Sequence, residues 1–389
     1  MQKQSIKEVL TKRVAEILPA PKGLADLMKK RKIRLYLGID PTGTMLHLGH
    51  AVVLRKLRQF QDLSHEVILL FGTLTAQIGD PSGRDKMREP LSSRQIVANM
   101  RDYKTQASQI LDIGKARMKK NDEWLGKLNL EDILKLTSRV TTSQLLERDM
   151  FQGRMKRGQE IWVHELLYPL LQGYDSVAMD VDLEVGGTDQ TFNMLIGRRL
   201  QKAYRSKEKF VLTVPLLLGL DGRKMSKSFG NTVNIADPPR EMYGKLMTLR
   251  DELVPQYFEL CSDVVEKEVA VLKKKLSPRD FKARLAKEVV TLYHGAKKAR
   301  VAEQEFISIF QKKQQPSYMK EVEGLRGEMP LVDILVKAML ASSKSEARRL
   351  IQQGGVRIDG NVQKKENSSV ELRARSVIQV GKRRFIRVA

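Results

Sequence analysis

Cysteine is almost absent from this sequence. The chain of 389 residues has a single cysteine, Cys261, which excludes a disulfide framework and a zinc site built from thiolates. One lone thiol is typical of a reducing compartment and favours a cytoplasmic location. Histidine is also scarce, with five in the chain, and two of them, His47 and His50, lie three residues apart.

Long apolar runs are missing as well. The longest extends from Phe210 to Leu220, is interrupted by Thr213 and Pro215, and is too short to span a bilayer. The N-terminal segment MQKQSIKEVLTKRVAEIL has no apolar core of the signal-peptide type. The sequence therefore predicts a protein that is neither secreted nor embedded in a membrane.

Acidic residues are in deficit. Lysine and arginine total 70 against 46 acids, which gives a formal net charge of +24. Such an excess favours a polyanionic partner, although solubility alone is the alternative, because net charge does not specify a fold. Hydrophobic residues make up 41% of the chain and charged residues 30%, which predicts a soluble globular protein rather than a disordered one.

The length predicts two or three domains, and residues 1–231 have the pattern of the first. Strand-like and helix-like segments alternate there, and this alternation predicts an α/β fold, a doubly wound Rossmann-like parallel sheet with ligands at the carboxyl ends of its strands. The predicted strands cover residues 33–39, 66–72, 181–185 and 210–217, and the predicted helices cover residues 47–63, 92–112, 160–173 and 188–203.

Residues 113–158 interrupt this alternation. The stretch is charged, has a helical pattern and contains no obvious phosphate-binding loop. It is predicted to be an insertion, and an insertion in an α/β sheet is a candidate interface between subunits.

Two further regions follow. Residues 232–326 lose the strand signal and predict an all-helical domain, while the polar residues 312–329 predict a linker. Residues 327–389 predict a linker and a small α+β unit. Its predicted helices lie in PLVDILVKAML and KSEARRLIQQ, and its predicted hairpins lie in VRIDGNVQ and SVIQVGKRRFIRV.

The second of those helices has a basic face. Lys344, Arg348 and Arg349 are spaced to share one side of it, and from Pro330 onward 13 basic side chains face 5 acidic ones. A basic helix beside a small sheet suits RNA, and a solvated helix face is the alternative.

The segment His47-Leu-Gly-His50 directly follows a predicted strand and opens a predicted helix. Free N–H groups at a helix start suit phosphate, Gly49 leaves room for an adenine, and two imidazoles can donate hydrogen bonds. Two polar residues at a helix start would look the same, so the motif alone is weak.

The segment Lys224-Met-Ser-Lys227-Ser228 lies in a polar loop after another predicted strand. Two ammonium groups three residues apart suit a pyrophosphate, although a solvated basic loop is the simpler explanation of this motif alone. The pair of motifs is more informative, because both follow strands of one predicted α/β domain, with HLGH first and KMSKS later in the chain.

HLGH together with KMSKS resembles the signature pair of the class I aminoacyl-tRNA synthetases. Four other segments resemble the tyrosyl-tRNA synthetases of bacterial type, and the last 60 residues resemble an S4-type RNA-binding domain, so the resemblance covers essentially the whole chain. It implies a tyrosine–tRNA ligase, which forms tyrosyl-adenylate and pyrophosphate from tyrosine and ATP and then transfers tyrosine to the 3′ end of tRNA. The four segments are YLGIDPT at 36–42, GDPSG at 79–83, YPLLQGYD at 168–175 and VGGTDQ at 185–190.

The resemblance also implies a tyrosine pocket. Tyr36 and Asp175 would hold the phenol hydroxyl, and the side chains around the amino group would be Asp80, Tyr168, Gln172 and Gln190. Independently of the family, Tyr168, Gln172 and Asp175 are spaced to share one face of a helix within an apolar segment, which favours a buried cleft.

For the nucleotide, the resemblance implies catalytic roles for Thr42, His47, His50, Lys224 and Lys227. It implies ATP-binding positions at Asp40, Gly49, Gly187, Asp189, Met225 and Ser226. Arg84, Lys86 and Arg88 form a second basic loop that either assists or is plain surface charge. Magnesium is expected to arrive with ATP, and no protein metal cage and no tightly bound cofactor are predicted.

The remaining implied partner is tRNA, with a homodimer expected and residues 113–158 as its candidate interface. Residues 232–326 would form the anticodon-recognition domain, and Lys344, Arg348 and Arg349 would bind tRNA through the S4-like unit. Leu37, Val53, Glu184 and Thr191 depart from better-known members of the family. The first two stand where the family contacts the ribose, so rearranged nucleotide contacts are expected there, while Glu184 and Thr191 resemble a second bacterial subgroup. The rival hypotheses are the tryptophan enzyme, a catalytically silent RNA-binding paralogue and a small HxGH nucleotidyltransferase.

Overall fold

The computed structural model describes residues 5–82, 91–225, 229–310, 319–381 and 384–389. The chain divides into two units, residues 1–299 and residues 300–389, and each is described by itself. This division falls inside the predicted helical region 232–326 rather than at either of its ends. Within the described ranges, no helix is both long and apolar enough to cross a membrane.

A six-stranded sheet organises the first unit. Its strands are β1 (Glu16–Leu18), β2 (Arg34–Ile39), β3 (Glu66–Phe71), β4 (Arg117–Lys120), β5 (Leu183–Gly187) and β6 (Phe210–Val214). In space they lie in the order β1-β6-β5-β2-β3-β4. Every neighbouring pair from β6 to β4 is parallel, and helices connect the strands, so the predicted doubly wound α/β class is confirmed. The apolar run of β3 is buried along its length, as expected for a strand covered on both faces.

Two strands differ from the sequence-based prediction. The edge strand β1 runs antiparallel to β6, so the sheet is not purely parallel. Strand β4 lies within residues 113–158, where we expected only helices, and it pairs in parallel with β3. Its sequence, Arg-Met-Lys-Lys, is an edge strand with little buried surface and so has no strand-like hydrophobic pattern.

Helices cover both faces of the sheet and continue beyond it. Those preceding the last sheet strand are α1 (Ile6–Val9), α2 (Pro21–Lys30), α3 (Leu48–Asp62), α4 (Thr75–Ile78), α5 (Ser93–Ala107), α6 (Asp122–Leu125), α7 (Leu130–Thr137), α8 (Thr142–Leu146), α9 (Asp149–Lys156), α10 (Val163–Met179) and α11 (Thr191–Arg205). After the sheet come α12 (Pro239–Leu246), α13 (Val254–Cys261), α14 (Glu266–Lys275), α15 (Pro278–His294) and α16 (Ala296–Phe310).

Helices α10 and α11 pack very closely beside the sheet. A Cβ atom on Gly173 of α10 would lie 3.1 Å from the backbone nitrogen of Gly197 on α11. Two glycines face each other at this crossing, and a side chain on Gly173 would push the helices apart. The apolar core around the pair includes Leu170, Leu171 and Leu200.

The second unit is a small α+β structure. Its elements are β7 (Lys320–Val322), β8 (Gly327–Pro330), α17 (Leu331–Lys337), α18 (Lys344–Gln352), β9 (Val356–Ile358), β10 (Asn361–Gln363), β11 (Ser369–Leu372), β12 (Val377–Val380) and β13 (Arg384–Val388). Five strands form a sheet in the order β10-β9-β12-β13-β7, and β8 pairs with β11. Both predicted hairpins are confirmed, and Asp359 and Gly360 at the first turn have φ values of 46° and 86°.

The linker predicted over residues 312–329 is wrong in part. Strand β7 pairs in parallel with β13, and β8 begins at Gly327. Strand β7 also falls within residues 232–326, where only helices were predicted. Three residues are too few to show the alternation typical of strands, and an edge position makes backbone pairing the main source of stability.

Candidate functional site

The site lies where β2 and β5 end side by side. From β2 the chain continues to β3 on one side, and from β5 it continues to β6 on the other, so the gap between them is the switch point of the sheet. Asp40 and Thr42 follow β2, and Asp189 and Gln190 follow β5 in the 3-10 turn Thr188–Gln190. Most of the predicted site residues described below lie around this switch point.

Tyr36 lies at the bottom of the site. It is fully buried on β2, and its hydroxyl is 2.8 Å from the Ser176 hydroxyl on α10. Burial raises the pKa of Tyr36 well above its ordinary value, and the carboxylates of Glu184 and Asp175 raise it further. Tyr36 therefore stays a neutral phenol that can donate one hydrogen bond and accept another.

Asp175 is buried beside Ser176, and its carboxylate has two donors. Trp124 Nε1 donates to Oδ1 at 2.8 Å and Asn121 Nδ2 donates to Oδ2 at 3.3 Å. Burial raises the pKa of Asp175 well above its ordinary value, while these two hydrogen bonds lower it. Both donors come from the 113–158 region, so this region contributes to the wall of the site.

Tyr168, Gln172 and Asp175 lie on one face of α10, as their spacing predicts, and we call this set the α10 stripe. Tyr168 donates its hydroxyl hydrogen to Asp40 Oδ2 at 2.9 Å, and Gln172 Nε2 donates to Glu184 Oε1 at 3.2 Å. Burial raises the pKa of Tyr168 well above its ordinary value, and Asp40 raises it further. The i, i+4, i+7 spacing has thus placed three polar side chains on one inward face of the helix.

A chain of amide groups connects this stripe to Asp80. Asn193 Nδ2 donates to Gln172 Oε1 at 2.9 Å and to Gln190 Oε1 at 3.1 Å. Gln190 Nε2 then donates to Asp80 Oδ2 at 2.6 Å, and Asp80 Oδ1 accepts from the Ser82 N–H at 2.9 Å. The network fixes the orientation of each amide and links Gln172 to Asp80.

Asp40 does not stand alone at the end of β2. Thr75 Oγ1 donates to its Oδ1 at 2.8 Å, in addition to the bond from Tyr168. A Cβ on Gly72 would lie 2.0 Å from Asp40 Oδ1, so only glycine fits at that position. Asp40 therefore lies against the α10 stripe as well as near the start of α3.

The HLGH segment begins α3 as predicted. The His47 N–H donates to His50 Nδ1 at 3.2 Å, and the two imidazole centroids are 3.9 Å apart. A Cβ on Gly49 would lie 3.0 Å from the His47 ring and 3.7 Å from Met225 Sδ. The helix is 15 residues long, so its N-terminus carries the positive end of a full helix dipole.

The segment after KMSKS pairs directly with the HLGH segment. The Leu48 N–H donates to the Val233 carbonyl at 2.9 Å, and the Ile235 N–H donates to the Leu46 carbonyl at 2.8 Å. Lys224 lies at the edge of the same region, with its Nζ 3.3 Å from Asp189 Oδ2. These contacts bring the two signature segments together at the end of the sheet.

Some predicted residues lie outside the described part of the chain. They are Ser226 and Lys227 of KMSKS, together with Gly83, Arg84, Lys86 and Arg88 of the loop after Asp80. Within the described part, no cluster of three or more histidine, cysteine or acidic side chains is arranged to hold a metal ion.

Several side chains of the site were missed by sequence reasoning. Lys209 forms a buried ion pair with Glu184, and burial lowers the pKa of its ammonium group, an effect that Glu184 offsets only in part. Arg148 Nη2 donates to Ser82 Oγ at 2.5 Å, and its guanidinium lies 4.9 Å from the centre of the Phe192 ring. Glu184 was noticed only as a departure from the family. No local pattern marks Lys209 or Arg148 in so basic a chain.

The predicted tRNA-binding residues lie in the second unit. Lys344, Arg348 and Arg349 are exposed on α18, as their spacing predicts. Lys344 Nζ is 2.8 Å from Asp333 Oδ1 on α17. Arg348 and Arg349 are thus the more available cations of the three for a phosphate.

The first unit thus brings together a buried phenol, a buried carboxylate and the acceptor oxygens hydrogen-bonded around them. A second set consists of a helix N-terminus, two imidazoles and a lysine. The first set suits an amphipathic molecule with a hydroxyl and an ammonium group, and the second suits a nucleoside phosphate.

Comparisons with known proteins identify the family of the chain. Residues 28–311 match the family of class I tRNA synthetases (W and Y), and residues 329–374 match the S4 domain family. A tyrosine–tRNA ligase of Thermotoga maritima is 44% identical over 98% of this chain and 96% of its own. One from Mannheimia succiniciproducens is 46% identical over 97% of each chain. Among solved structures, a truncated mitochondrial tyrosyl-tRNA synthetase of Aspergillus nidulans has a TM-score of 0.65 at 23% identity, over 79% of this chain and 95% of its own.

Proposed function

We propose that this chain, which belongs to the class I tRNA synthetases for tryptophan and tyrosine, uses the polar site at the switch point to select and activate tyrosine. The chain is an aminoacyl-tRNA synthetase, and its reaction is the ATP-dependent ligation of tyrosine to tRNA. One observation carries the assignment of residues. The α10 stripe links the buried groups of Tyr36 and Asp175, which we call the phenol subsite, to the acceptor oxygens of Asp40 and Glu184.

The phenol end of tyrosine binds between Tyr36 and Asp175. A buried carboxylate accepts the substrate hydroxyl hydrogen, and a buried phenol donates to the substrate oxygen. Phenylalanine makes neither of these two bonds, and the loss is costly because water cannot replace them in a buried site. Tryptophan offers one N–H donor and no acceptor, so it satisfies at most one of the two groups. The described geometry therefore favours tyrosine over both competitors.

The ammonium group of tyrosine binds to acceptor oxygens above this point. Asp80 supplies the negative charge, and its hydrogen bonds from Gln190 and Ser82 hold it in one orientation. Tyr168, Gln172 and Gln190 line the same subsite. Fixed acceptors lower the entropy cost of binding a cation and place the carboxylate of tyrosine toward the nucleotide.

ATP binds at the N-terminus of α3. Thr42, His47 and Lys224 contact the phosphates, with Lys227 completing the pair of lysines. Asp40, Gly49, Gly187 and Asp189 surround the nucleoside, with His50, Met225 and Ser226 beside it. Glycine at 187 lets Asp189 keep its place, since a Cβ there would be 2.8 Å from Asp189 Oδ1. Magnesium enters as part of the ATP substrate.

The first step needs no general base, because the tyrosine carboxylate is already ionised at neutral pH. One of its oxygens attacks the α-phosphorus of ATP, and the bond from that phosphorus to the bridging oxygen breaks, so pyrophosphate leaves. The residues of the site align the attack and stabilise charge on the phosphates. In the second step a ribose hydroxyl of the tRNA 3′ end takes the tyrosyl group from the adenylate, and AMP leaves.

The larger organisation is part of the same proposal. Residues 1–231 form the catalytic domain, residues 232–326 recognise the anticodon region, and residues 327–389 include the S4-type domain that binds tRNA through α18. The chain works in the cytoplasm as a homodimer. Exposed apolar side chains support a dimer interface at and beside the 113–158 region, where Leu130, Leu134, Trp162 and Val163 are 74%, 60%, 49% and 75% exposed.

The test is ATP–pyrophosphate exchange without tRNA, run in parallel with tyrosine, phenylalanine and tryptophan. Exchange with tyrosine alone supports the phenol subsite. Exchange with tryptophan would leave the fold intact and overturn the assignment of Tyr36 and Asp175. Absence of exchange with all three, in a folded protein that binds ATP, would overturn the catalytic assignment as a whole.

A further inference from the structure

An ion pair without exposure to water lies directly behind the phenol subsite. The side chain of Lys209 is 0% exposed and that of Glu184 is 2% exposed, and the two are joined by a hydrogen-bonded salt bridge. Tyr36 and Glu184 are paired neighbours on β2 and β5, and Lys209 lies just before β6, two residues from the partner of Glu184. The strand register therefore places all three side chains on one face of the sheet.

The fold makes room for this ammonium group. A Cβ on Gly197 would lie 2.5 Å from Lys209 Nζ and 3.0 Å from Ser176 Oγ. The close crossing of α10 and α11 at Gly173 and Gly197 thus leaves a slot just large enough for the end of a lysine. A buried pair of this kind is weak evidence for stability, because the desolvation of both charges offsets their attraction.

The hydrogen bonds around Ser176 have a preferred direction. Lys209 Nζ is 2.8 Å from Ser176 Oγ, and an ammonium group can only donate, so Ser176 must accept there. Ser176 has one hydrogen to give. The Tyr36 oxygen is 2.8 Å away and Glu184 Oε2 is 3.4 Å away, so the shorter and stronger bond is the one to Tyr36. Tyr36 then accepts from Ser176 and must donate its own hydrogen elsewhere, either to the neighbouring Glu184 carboxylate, which also interacts with this hydroxyl, or to a ligand.

We propose that Lys209 begins a one-way hydrogen-bond relay, from Lys209 to Ser176 to Tyr36 to the hydroxyl oxygen of the bound tyrosine, which ends at Asp175. Because Ser176 donates to Tyr36, the Tyr36 hydroxyl acts as the donor to the hydroxyl oxygen of bound tyrosine. This hydrogen bond is strengthened because each bond in the relay polarises the next. Lys209, Glu184 and Ser176 are positioning residues, since they orient the Tyr36 hydroxyl and do not contact the substrate themselves. This inference rests on the proposed binding of the phenol between Tyr36 and Asp175.

Ser176→Ala is the first test, because it cuts the relay and leaves the ion pair in place. The measured quantity is the ratio of kcat/KM for tyrosine to that for phenylalanine in pyrophosphate exchange. The relay predicts that the ratio falls by about 3- to 10-fold, through a higher KM for tyrosine, while the KM for ATP is unchanged. A general loss of packing would instead lower kcat/KM for tyrosine and for phenylalanine together.

A second variant covers the case in which Ser176→Ala disturbs folding. Lys209→Met combined with Glu184→Gln removes both charges, fills a similar volume and leaves no unpaired ion. It also removes the Lys209 ammonium group that donates to Ser176, so the Ser176 hydroxyl can rotate away from Tyr36. The ratio of kcat/KM for tyrosine to that for phenylalanine is then expected to fall by a similar factor. Adding Ser176→Ala to this double variant produces little further loss if the three residues act as one chain.

Tyr36→Phe separates the two levels of the proposal. If it leaves the preference for tyrosine unchanged, the phenol subsite is wrong and the relay fails with it. If it reduces the preference while Ser176→Ala and the charge-removing variant do not, the subsite stands and the relay is overturned. Equal losses for tyrosine and phenylalanine in both of those variants would also overturn the relay.

Discussion

A second buried ion pair holds the start of α10, the helix that carries three residues of the proposed tyrosine pocket. Arg154 on α9 donates to both oxygens of Glu165 on α10, at 2.7 and 3.0 Å, and also to the Glu160 carbonyl. The side chains of Arg154 and Glu165 are 5% and 4% exposed. Glu165 Oε2 accepts from the Trp162 N–H at 3.0 Å as well, which caps the helix. Replacing Arg154 by methionine leaves the carboxylate buried with only the backbone donor.

The cost can be bounded from this geometry. Removing one partner of a buried, fully hydrogen-bonded pair costs about 3–5 kcal/mol, because the other charge stays desolvated. Adding Glu165→Gln removes that charge and keeps an acceptor for the Trp162 N–H. The double variant should therefore lose about 1–2 kcal/mol, mainly from the hydrogen bonds of Arg154. With a slope of about 3 kcal/mol per M of urea, a 4 kcal/mol loss lowers the unfolding midpoint by about 1.3 M.

Urea unfolding of the whole chain at fixed protein concentration, followed by circular dichroism at pH 7, measures both variants. The reasoning is refuted if Arg154→Met costs less than about 1 kcal/mol, or if the double variant costs as much as the single one. The pH offers an independent check. Burial raises the pKa of Glu165, but the bonds from Arg154 and Trp162 outweigh it, so the net pKa is lowered. The stabilisation is therefore present above the unfolded pKa of about 4.3, and it is lost as pH falls through the lower folded value.

Three further outcomes are expected. Tyr36→Phe lowers the preference for tyrosine over phenylalanine by about 3- to 10-fold in pyrophosphate exchange, since one hydrogen bond to the substrate is lost. Lys224→Met, which also removes the partner of Asp189, lowers kcat for exchange by about 10- to 100-fold with the KM for tyrosine nearly constant. Equal changes in kcat and in the KM for tyrosine would contradict a role of Lys224 at the phosphates. Combined Arg348→Gln and Arg349→Gln lowers the slope of log affinity for tRNA against log salt by about 1 to 2, and an unchanged slope would remove them from the interface.

Part of the site could be predicted from sequence because its signal is local. Tyr168, Gln172 and Asp175 share a face by helical spacing alone, and the apolar segment around them indicates burial. The HLGH segment opens a helix directly after a strand, so its location at the end of the sheet follows from the order of elements. Each of these inferences uses residues that are close in the chain.

The partners of these residues could not be predicted in the same way. The two donors to Asp175, Asn121 and Trp124, come from another segment, and their bonds span 54 and 51 residues of sequence. Lys209 is 25 residues from Glu184, and only the strand register brings them together. A lysine in a chain with 70 basic residues carries no signal of burial, so the sequence predicts a solvated cation at this position.

The fold shows the same limit at its edges. Central strands such as β3 are predicted because burial on both faces demands a continuous apolar run. The edge strands β1, β4 and β7 have three or four residues each and depend on backbone pairing, which any sequence can provide. These are the strands that the hydrophobic pattern did not indicate.

The 113–158 region therefore has a role beyond that of an interface candidate. A carboxylate as buried as Asp175 needs donors to keep it in place, and the two it has come from α6 and the residue before it. The same segment follows β4, which extends the six-stranded sheet at the edge beside β3. Because Asn121 also donates to Thr75 Oγ1, and Thr75 in turn donates to Asp40, one side chain of this region connects the phenol subsite to the end of β2. Removing the region would thus dismantle the proposed amino-acid pocket, even in a chain that kept every residue of the two signature motifs.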